Sequence, residues 1–218
     1  MVKPAVKPAA PFSLPKLADF DGDALEIGHD YDGILFSDLD FSGQDAADAK
    51  FLECHIERCG VEGLTLRRAR IVDSLLTEIH GSSLDLADSA WRDSHMVGGR
   101  LGVLTLTGAT LKCVRIKAMK LGFVNLAGSR LEDVVFEGCE IGTVDVGAAR
   151  LHTVSFVDCD VAELNVSEAT LVKVDLSGAR LKSLIGIENL RGATISHGQL
   201  MDLAPLLAAQ LGVKVLPE

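Results

Sequence analysis

The apolar residues of this chain recur at every fifth position. From Phe36 to Leu181, 28 of the 30 residues whose numbers end in 1 or 6 are Leu, Ile, Val, Phe, Met or Trp, and the exceptions are Ala46 and Gly81. A spacing of five matches neither the 3.6-residue period of a helix nor the two-residue period of a strand. It fits a short strand that points two side chains inward, at the repeated position and two residues before it, and then turns a corner.

Glycine is frequent at the position where each corner is expected. Because glycine adopts positive φ without steric penalty, it suits tight turns. The glycines at this position are Gly33, Gly43, Gly63, Gly98, Gly108, Gly128, Gly138 and Gly178.

A second, longer cycle of 20 residues is superimposed on the first. Residues preceding Leu111, Leu131 and Leu151 by two are Ala or Ser, whereas those preceding Phe136 and Phe156 by two are Val. One side of the coil is therefore expected to be narrow and the next wide, in every coil. Four sides of five residues close a square, which predicts a four-sided solenoid.

The interior pattern is least regular near the middle of the chain, where Trp91 and Met96 are expected to fill space left by small residues. We predict that Trp91 points inward and is largely buried, and we consider a bend or local softness there. The small inward residues are Ser74, Gly81, Ser89, Ser94 and Gly99.

The repeat unit resembles that of the pentapeptide repeat family, whose ideal motif is A(D/N)LXX. The motif occurs here as Ala109-Thr110-Leu111, Ala169-Thr170-Leu171 and Ser129-Arg130-Leu131. The resemblance implies an all-β fold, a right-handed quadrilateral β-helix over residues 31–185 with a C-terminal α-helical cap. Thirty repeats correspond to about 7.5 coils, and a strand spacing of about 4.8 Å gives a rod roughly 36 Å long.

The segments outside the repeats divide into three. Residues 1–18 hold four of the six prolines and are expected to form an extended, flexible arm or a plain disordered tail. Residues 19–30 are expected to cap the N-terminal end, since a solenoid otherwise exposes its core there. Residues 186–218 contain a last, shifted repeat and a helical segment.

Ser196 and Gln199 form a capping-box pattern that predicts the start of this helix. Pro205 is expected to kink it or begin a second helix, Gly212 to end it, and residues 213–215 to form a short strand. The helix is predicted either to act only as a lid over the last coil or also to build a two-fold dimer, as relatives in the resembled family do end to end. The leucines expected in such a homodimer are Leu200, Leu203, Leu206, Leu207 and Leu211.

Composition narrows the cellular context. A formal net charge of −10 disfavours direct nucleic-acid binding, and no apolar run is long enough for a membrane span. Five cysteines, without a recognisable export signal, favour reduced thiols and a cytoplasmic location.

No residue pattern predicts catalysis. The cysteines at 59, 139 and 159 share one inward column, but no four cysteines can converge on one zinc ion. His55 and His95 lie two coils apart, about 10 Å, which is too far to share a metal. A filled solenoid also lacks a cleft, so we expect no enzymatic activity, no cofactor and no metal; Cys113 falls at a turn, where we consider an exposed thiol.

Charge is the main signal at the outward positions. Acids dominate residues 31–62 and 132–175, whereas residues 94–131 contain six bases and no acid, the basic waist: Arg100, Lys112, Arg115, Lys117, Lys120 and Arg130. Three acids, Asp73, Asp93 and Asp133, share one predicted corner with Glu53. Two others, Asp85 and Asp145, share another outward column with Asp45. A basic line is expected at Lys50, Arg70, Arg130 and Arg150.

Within the resembled family, the acidic balance is similar to that of the quinolone-resistance branch, the Qnr and MfpA group. This resemblance implies a DNA mimic that binds DNA gyrase or topoisomerase IV, with Asp73, Asp93, Asp133, Asp85 and Asp145 as candidate contacts. The alternative is a scaffold for another protein partner, using the basic waist or the C-terminal helix. A continuous acidic face would favour the mimic.

Overall fold

The chain forms a rod in which short parallel strands wind around four sides. The structure is a computed structural model and describes residues 13–215. We number the sides in chain order: side 1 is centred on Leu111, side 2 on Ile116, side 3 on Leu121 and side 4 on Leu126. The solenoid has about 9 coils rather than the 7.5 expected, because segments before residue 31 and after residue 185 add strands at the two ends.

The strands differ in how many sides they cover. Strands confined to one side are β1 (Ala18–Asp19), β2 (Asp30–Asp32), β3 (Ile34–Ser37), β4 (Lys50–Leu52), β5 (His55–Glu57), β6 (Leu64–Thr65), β7 (Arg70–Val72), β9 (Ala90–Arg92), β11 (Thr110–Lys112), β12 (Arg115–Lys117) and β20 (Ala193–Thr194). Strands that continue around a corner are β8 (Leu75–Asp85), β10 (His95–Thr105), β13 (Lys120–Asn125), β14 (Arg130–Glu137), β15 (Glu140–Asp145), β16 (Arg150–Val157), β17 (Cys159–Asn165), β18 (Thr170–Asp175) and β19 (Ala179–Ile185).

Strand register confirms the 20-residue coil. Leu111 of β11 pairs with Leu131 of β14, and Phe136 of β14 pairs with Phe156 of β16, always in parallel. Each residue therefore lies beside its equivalent one coil away, and outward side chains form columns along the rod.

Side chains at the inward positions fill the rod. Of the 30 positions from Phe36 to Leu181, 28 are buried, and only Gly81 and Leu181 are half-buried. Trp91 is 3% exposed, which confirms its predicted inward orientation, and its Nε1 donates to Ser89 Oγ at 3.1 Å. The small polar residues are thus part of the packing.

Two of these serines also satisfy backbone groups at a corner. The Oγ of Ser74 accepts a hydrogen bond from the backbone N–H of Cys54, and the Oγ of Ser94 accepts one from the N–H of Ser74. A buried amide without a partner would be destabilising.

More corner positions have left-handed backbone, with positive φ, than the glycine positions in the sequence predicted. Seven of the eight predicted glycines have positive φ, and Gly178 does not. Among the described residues, seventeen that are not glycine also have positive φ, including Asp73, Asp93 and Arg58. Asp tolerates this conformation better than most residues, because its short polar side chain can hydrogen-bond locally.

Aromatic packing closes the N-terminal end. β1 pairs with β3, and Phe20 then packs against Tyr31, Phe36 and Phe41, with its ring centroid 4.7 Å from that of Phe36. β1 begins at Ala18, one residue before the predicted cap of residues 19–30. Most of the proline-rich arm predicted at 1–18 lies outside the described residues.

The C-terminal end is closed by a 3-10 helix η1 (Ile187–Asn189), β20 and the helix α1 (His197–Gln210). Ser196 and Gln199 form the predicted capping box. The helix continues through Pro205 as a single element, so the expectation of a second helix was wrong, and so was that of a strand at residues 213–215. Proline still removes one backbone donor inside the helix.

Candidate protein-interaction surface

Four acids form one column at the corner between sides 1 and 2. We call Glu53, Asp73, Asp93 and Asp133 the acidic corner column. All four have φ between 47° and 54°, and Cys113, with φ 54°, occupies the fourth of the column's five positions, between Asp93 and Asp133. The strand spacing of about 4.8 Å places the carboxylates of successive coils within reach of one partner surface.

Backbone hydrogen bonds fix this column. The N–H of Asp73 donates to the carbonyl of Arg92 at 3.1 Å, and the N–H of Asp93 donates to that of Lys112 at 3.0 Å. The carboxylates themselves project outward. Within residues 13–215, no ion pair involves Glu53, Asp73 or Asp133, whereas Asp93 lies 3.4 Å from Arg92 Nε. Three of the four charges are therefore available to a partner.

The second predicted set of acids lies elsewhere on the rod and has different contacts. On side 4, the Oδ1 atoms of Asp45, Asp85 and Asp145 accept hydrogen bonds from the N–H two residues further on, at 2.8–2.9 Å. Asp85 also lies 3.2 Å from Arg67, and Asp145 accepts from Asn165. These carboxylates stabilise local turns.

The two columns cannot face the same flat partner. Asp85 and Asp145 start side 4, just past the corner between sides 3 and 4, while the acidic corner column lies between sides 1 and 2. On a four-sided section these corners are diagonally opposite. The structure brings Asp73, Asp93 and Asp133 together and leaves Asp85 and Asp145 apart from them.

Most of the basic waist is neutralised by acids of the following coil. Lys112 pairs with Glu132 at 2.8 Å, Lys120 with Glu140 at 3.3 Å, and Lys117 with Glu137 at 2.8 Å. Arg115 also contacts Glu137. Sequence inspection missed these pairs because the partners are about 20 residues apart, although the coil length could have revealed them.

Two waist cations, Arg100 and Arg130, have no acidic partner among residues 13–215. Arg130 lies beside Arg150 in the register of side 1. The predicted basic line is thus present, with Lys50 bound to Asp30 at 2.9 Å.

The C-terminal helix has a buried and an exposed face. Gln199 Nε2 donates to the carbonyls of Leu176 and Ala179 at 2.8 Å, and Leu203 is only 8% exposed. These contacts hold α1 over the last coil. Leu207 is partly buried against the core. The outer face carries the remaining predicted leucines and a methionine: Leu200, Met201, Leu206 and Leu211, exposed by 44%, 61%, 48% and 79%.

Two clefts flank α1, with volumes of about 400 Å³ and 210 Å³. The larger is lined by polar groups including Asp158, Arg180 and Asp202, and the smaller mainly by Leu181, Leu184 and Leu206. Neither cleft is lined by a histidine or a cysteine from the part of the chain that the structure describes.

The structure also places the cysteine and histidine side chains that were considered as candidate ligands. Cys54, Cys59, Cys139 and Cys159 are buried, and Cys113 is exposed. Leu75 lies between His55 and His95 in the strand register. Across residues 13–215, no three His, Cys, Asp or Glu side chains are grouped as metal ligands would be. Nor does any helix there have the length and apolar content to span a membrane.

Comparison with known proteins gave matches among solved structures only. Neither the protein-family models nor the curated proteins contain a match. HetL, a pentapeptide repeat protein involved in heterocyst differentiation regulation from the cyanobacterium Nostoc sp. strain PCC 7120, is 18% identical, with a TM-score of 0.42, covering 78% of this chain and 91% of HetL.

Structures of QnrB1, a plasmid-mediated fluoroquinolone resistance protein, also match. One trypsin-treated form is 20% identical with a TM-score of 0.36, covering 91% of this chain and 95% of that one. The full-length form is 16% identical with a TM-score of 0.28, covering 89% and 95%. The four-sided architecture of the present chain is established by its own strand register.

Proposed function

We propose that this chain is a non-enzymatic rod that binds a protein partner in the cytoplasm through its acidic corner column. The observation that carries the proposal is that Glu53, Asp73 and Asp133 lie in one column and lack an ion-pair partner within residues 13–215. Unpaired carboxylates aligned along a rigid edge attract a basic surface and orient it. The free thiols are those expected in a reducing compartment.

The acidic corner column is suited to contact a protein surface that binds one edge of duplex DNA. Carboxylates of successive coils are about 4.8 Å apart, and a DNA strand has one phosphate per about 3.4 Å of axis. Four coils separate Glu53 from Asp133, so the column is about 19 Å long. Its charge density is lower than that of a DNA strand, and it imitates a single strand edge rather than a whole duplex.

The resemblance of the acidic balance to that of the quinolone-resistance branch suggests the first partner to test, which is DNA gyrase. In this proposal, cations of the DNA-binding surface of gyrase contact the column. Only the acids at this corner take part. Asp85 and Asp145 lie at the diagonal corner and hold turns, so they are the natural comparison set.

The test is gyrase supercoiling with the full chain titrated in, with and without ciprofloxacin. The test variant is Asp73→Asn/Asp93→Asn/Asp133→Asn, and the control is Asp45→Asn/Asp85→Asn/Asp145→Asn. Both remove three charges. Asn preserves the side-4 turn, because Asn125 and Asn165 already make that hydrogen bond. Asn also tolerates positive φ.

We expect the natural chain to inhibit supercoiling or to protect gyrase from the drug. The corner variant should be at least ~10-fold weaker, a loss that a few charged contacts readily produce, and the side-4 variant unchanged. No effect of the natural chain on gyrase would exclude this partner. Equal losses in both variants would show that net charge, and not the corner column, is responsible.

A second candidate function is that of a scaffold that joins copies or partners through the C-terminal helix. It is favoured by the exposure of Leu206 and Leu211 on the outer face of α1. In sedimentation, Leu206→Glu/Leu211→Glu should then convert an end-to-end dimer to a monomer, whereas substitution of exposed Val103, at the corner between sides 3 and 4, should not. A monomeric natural chain would leave the helix as a lid.

A further inference from the structure

Side 1 carries opposite charges along its two edges. Its leading column, one residue before each inward centre, is Asp30, Lys50, Arg70, Ala90, Thr110, Arg130, Arg150 and Thr170. Its middle column, one residue after the centre, is Asp32, Leu52, Val72, Arg92, Lys112, Glu132, His152 and Val172. The acidic corner column forms the other edge.

The two edges are matched in three of the four coils whose leading residue is a base. In the coils of Arg70 and Arg130 the corner holds an acid, Asp73 or Asp133, whereas Arg150 is the exception, because Thr153 occupies its corner. Lys50 is matched by Glu53 in the same way. These groups are three residues apart in one coil and form no ion pair with each other within residues 13–215.

The coils whose leading residue is uncharged show the complementary pattern. Where the middle column or corner has a base, the leading residue is small and uncharged: Ala90 with Arg92, Thr110 with Lys112, and Thr170 with Lys173. Besides the Arg150 coil, the first coil departs from these rules, since Asp30 and Asp32 are both acidic, although Asp30 is bound by Lys50.

We propose that side 1 is a docking surface for side 1 of a second copy of this chain. A two-fold axis parallel to the rod places the leading column of one copy opposite the middle and corner columns of the other. Arg70 then faces Asp73 of the second copy, and Arg130 faces Glu132 and Asp133, with both contacts made twice. Exposed Leu52 and Val172, 40% and 42% accessible, add apolar contact.

The antiparallel arrangement lacks this complementarity. A two-fold axis across the rod at its middle superposes each column on itself, so Arg70 faces Arg130 and Asp73 faces Asp133. Like charges placed opposite one another in an interface are unfavourable. Charge therefore selects the parallel dimer, in which the N-terminal ends of the two rods lie together.

The area of side 1 makes this a weak dimer. Seven coils of about 4.8 Å and a width of about 15 Å offer roughly 500 Å² per copy, at the low end for specific interfaces. The net charge of −10 also opposes association at long range. The proposal does not depend on the proposed function, but self-association would cover the acidic corner column and compete with any partner bound there.

Sedimentation of the full chain at increasing concentration tests the dimer directly. At about 0.15 M salt the net repulsion is screened beyond about 8 Å, while contacts across an interface are screened much less. We expect a reversible dimer. Arg70→Glu/Arg130→Glu leaves no base on side 1 in these two coils, and Asp73→Arg/Asp133→Arg leaves Glu132 as the one acid of side 1 there; each variant alone should be monomeric.

Two combinations of these charge-reversed variants test the charge pairing directly. An equal mixture of the acidic and basic variants should form a heterodimer, and the fourfold variant with all charges exchanged should recover the homodimer. Arg at the corner is compatible with the backbone, because Arg58 and Arg68 already have φ of 53° and 58°. The control Arg100→Glu/Lys182→Glu changes net charge equally on side 3 and should leave the dimer unchanged.

Cross-linking of the natural chain provides an independent measurement. Cys113 is the exposed thiol at the corner of side 1, and in the parallel dimer the two copies lie about 15 Å apart. A bismaleimide of that reach should link them, and Leu206→Glu/Leu211→Glu should not prevent it. A chain that stays monomeric and is not linked would overturn the proposal, as would a dimer unaffected by both charge reversals.

Discussion

The rings of Phe136 and Phe156 stack face to face inside side 2, with centroids 4.7 Å apart and planes inclined by 4°. The residues pair directly in the register of β14 and β16. Because identical positions of successive coils always meet, the same side-chain shape stacks on itself along the rod, and each coil depends on its neighbours.

Removal of one ring should therefore destabilise the rod strongly. Phe156→Ala leaves a cavity beneath Phe136 and should lower the free energy of unfolding by about 3–5 kcal/mol. Val172→Ala, at an exposed position, should change it by less than about 0.5 kcal/mol. Urea unfolding monitored by circular dichroism gives both values, and similar losses in the two variants would contradict the stacking contribution.

Glycines on the outer surface of side 3 are required by close backbone contact. A Cβ at Gly122 would lie 2.5 Å from the carbonyl oxygen of Gly102, and one at Gly142 would lie 2.3 Å from that of Gly122. Since backbone cannot yield as a side chain can, Gly122→Ala should force neighbouring coils apart. We expect a loss of about 1–3 kcal/mol, the range for overpacking.

Gly128 is the matched control, because it has positive φ but no atom within 4 Å of a Cβ. Asp48 and Asp88 have the same conformation in the equivalent column, with φ of 62° and 59°. Gly128→Asp should therefore be close to neutral. Thermal unfolding of the two variants distinguishes them, and an equal loss would show that φ rather than crowding sets the requirement.

The sequence predicts the interior of this protein better than its surface. The inward columns could be predicted from the five-residue spacing, since a buried position such as Leu111 or Phe136 accepts few residue types that are not apolar. Trp91 and the Ser196–Gln199 capping box were also recognisable, because each makes a hydrogen bond with a specific nearby residue. The corners were only partly recognisable from glycine. Because the corners face solvent, Asp, Arg or Lys can also occupy them with positive φ.

Surface charge was harder to interpret because an ion pair depends on both partners. Lys112 and Lys120 suggest a basic waist until Glu132 and Glu140 are placed beside them. Asp85 resembles Asp73 in the sequence, yet only the former accepts a backbone hydrogen bond in a turn. The same column contains Asn125 and Asn165, whose side-chain oxygens accept the equivalent turn hydrogen bond. This recurrence of Asp and Asn was the signal present in the sequence.

Acid should destabilise the first coils through the pair of Asp38 and Arg58. Arg58 donates to both carboxylate oxygens of Asp38 at 2.7 Å, and these hydrogen bonds hold the pKa of Asp38 at about 2, well below its usual value. A depressed folded-state pKa means that the contribution is complete above about pH 4 and is lost as the pH falls toward 2.

Asp38→Asn should consequently reduce the fall in melting temperature between about pH 4 and 2, and Arg58→Met should do the same. Asp175→Asn is a control, because Asp175 lies at an Asx turn without a cation in contact within residues 13–215. If Asp38→Asn left the acid-dependent fall unchanged, other carboxylates such as Asp48 and Asp160 would account for it.

The acidic corner column can be detected through the thiol that interrupts it. Burial raises the pKa of Cys113, and the carboxylates of Asp93 and Asp133 on either side raise it further. At neutral pH the thiolate fraction is therefore small, and since thiolate is the reactive form, alkylation should be slow. Removing one neighbouring charge should lower the pKa and accelerate the reaction.

Ellman's reagent should titrate one thiol in the native chain and all five after denaturation, because the other four cysteines are buried. Asp93→Asn and Asp133→Asn should each increase the alkylation rate of Cys113 at pH 7.5 by about 2- to 10-fold, equivalent to a pKa change of up to about one unit. Asp85→Asn, at the diagonal corner, removes the same charge and should have no effect. Equal acceleration in all three would mean that Cys113 senses only net charge, and no acceleration in any would mean that the column does not converge at this corner.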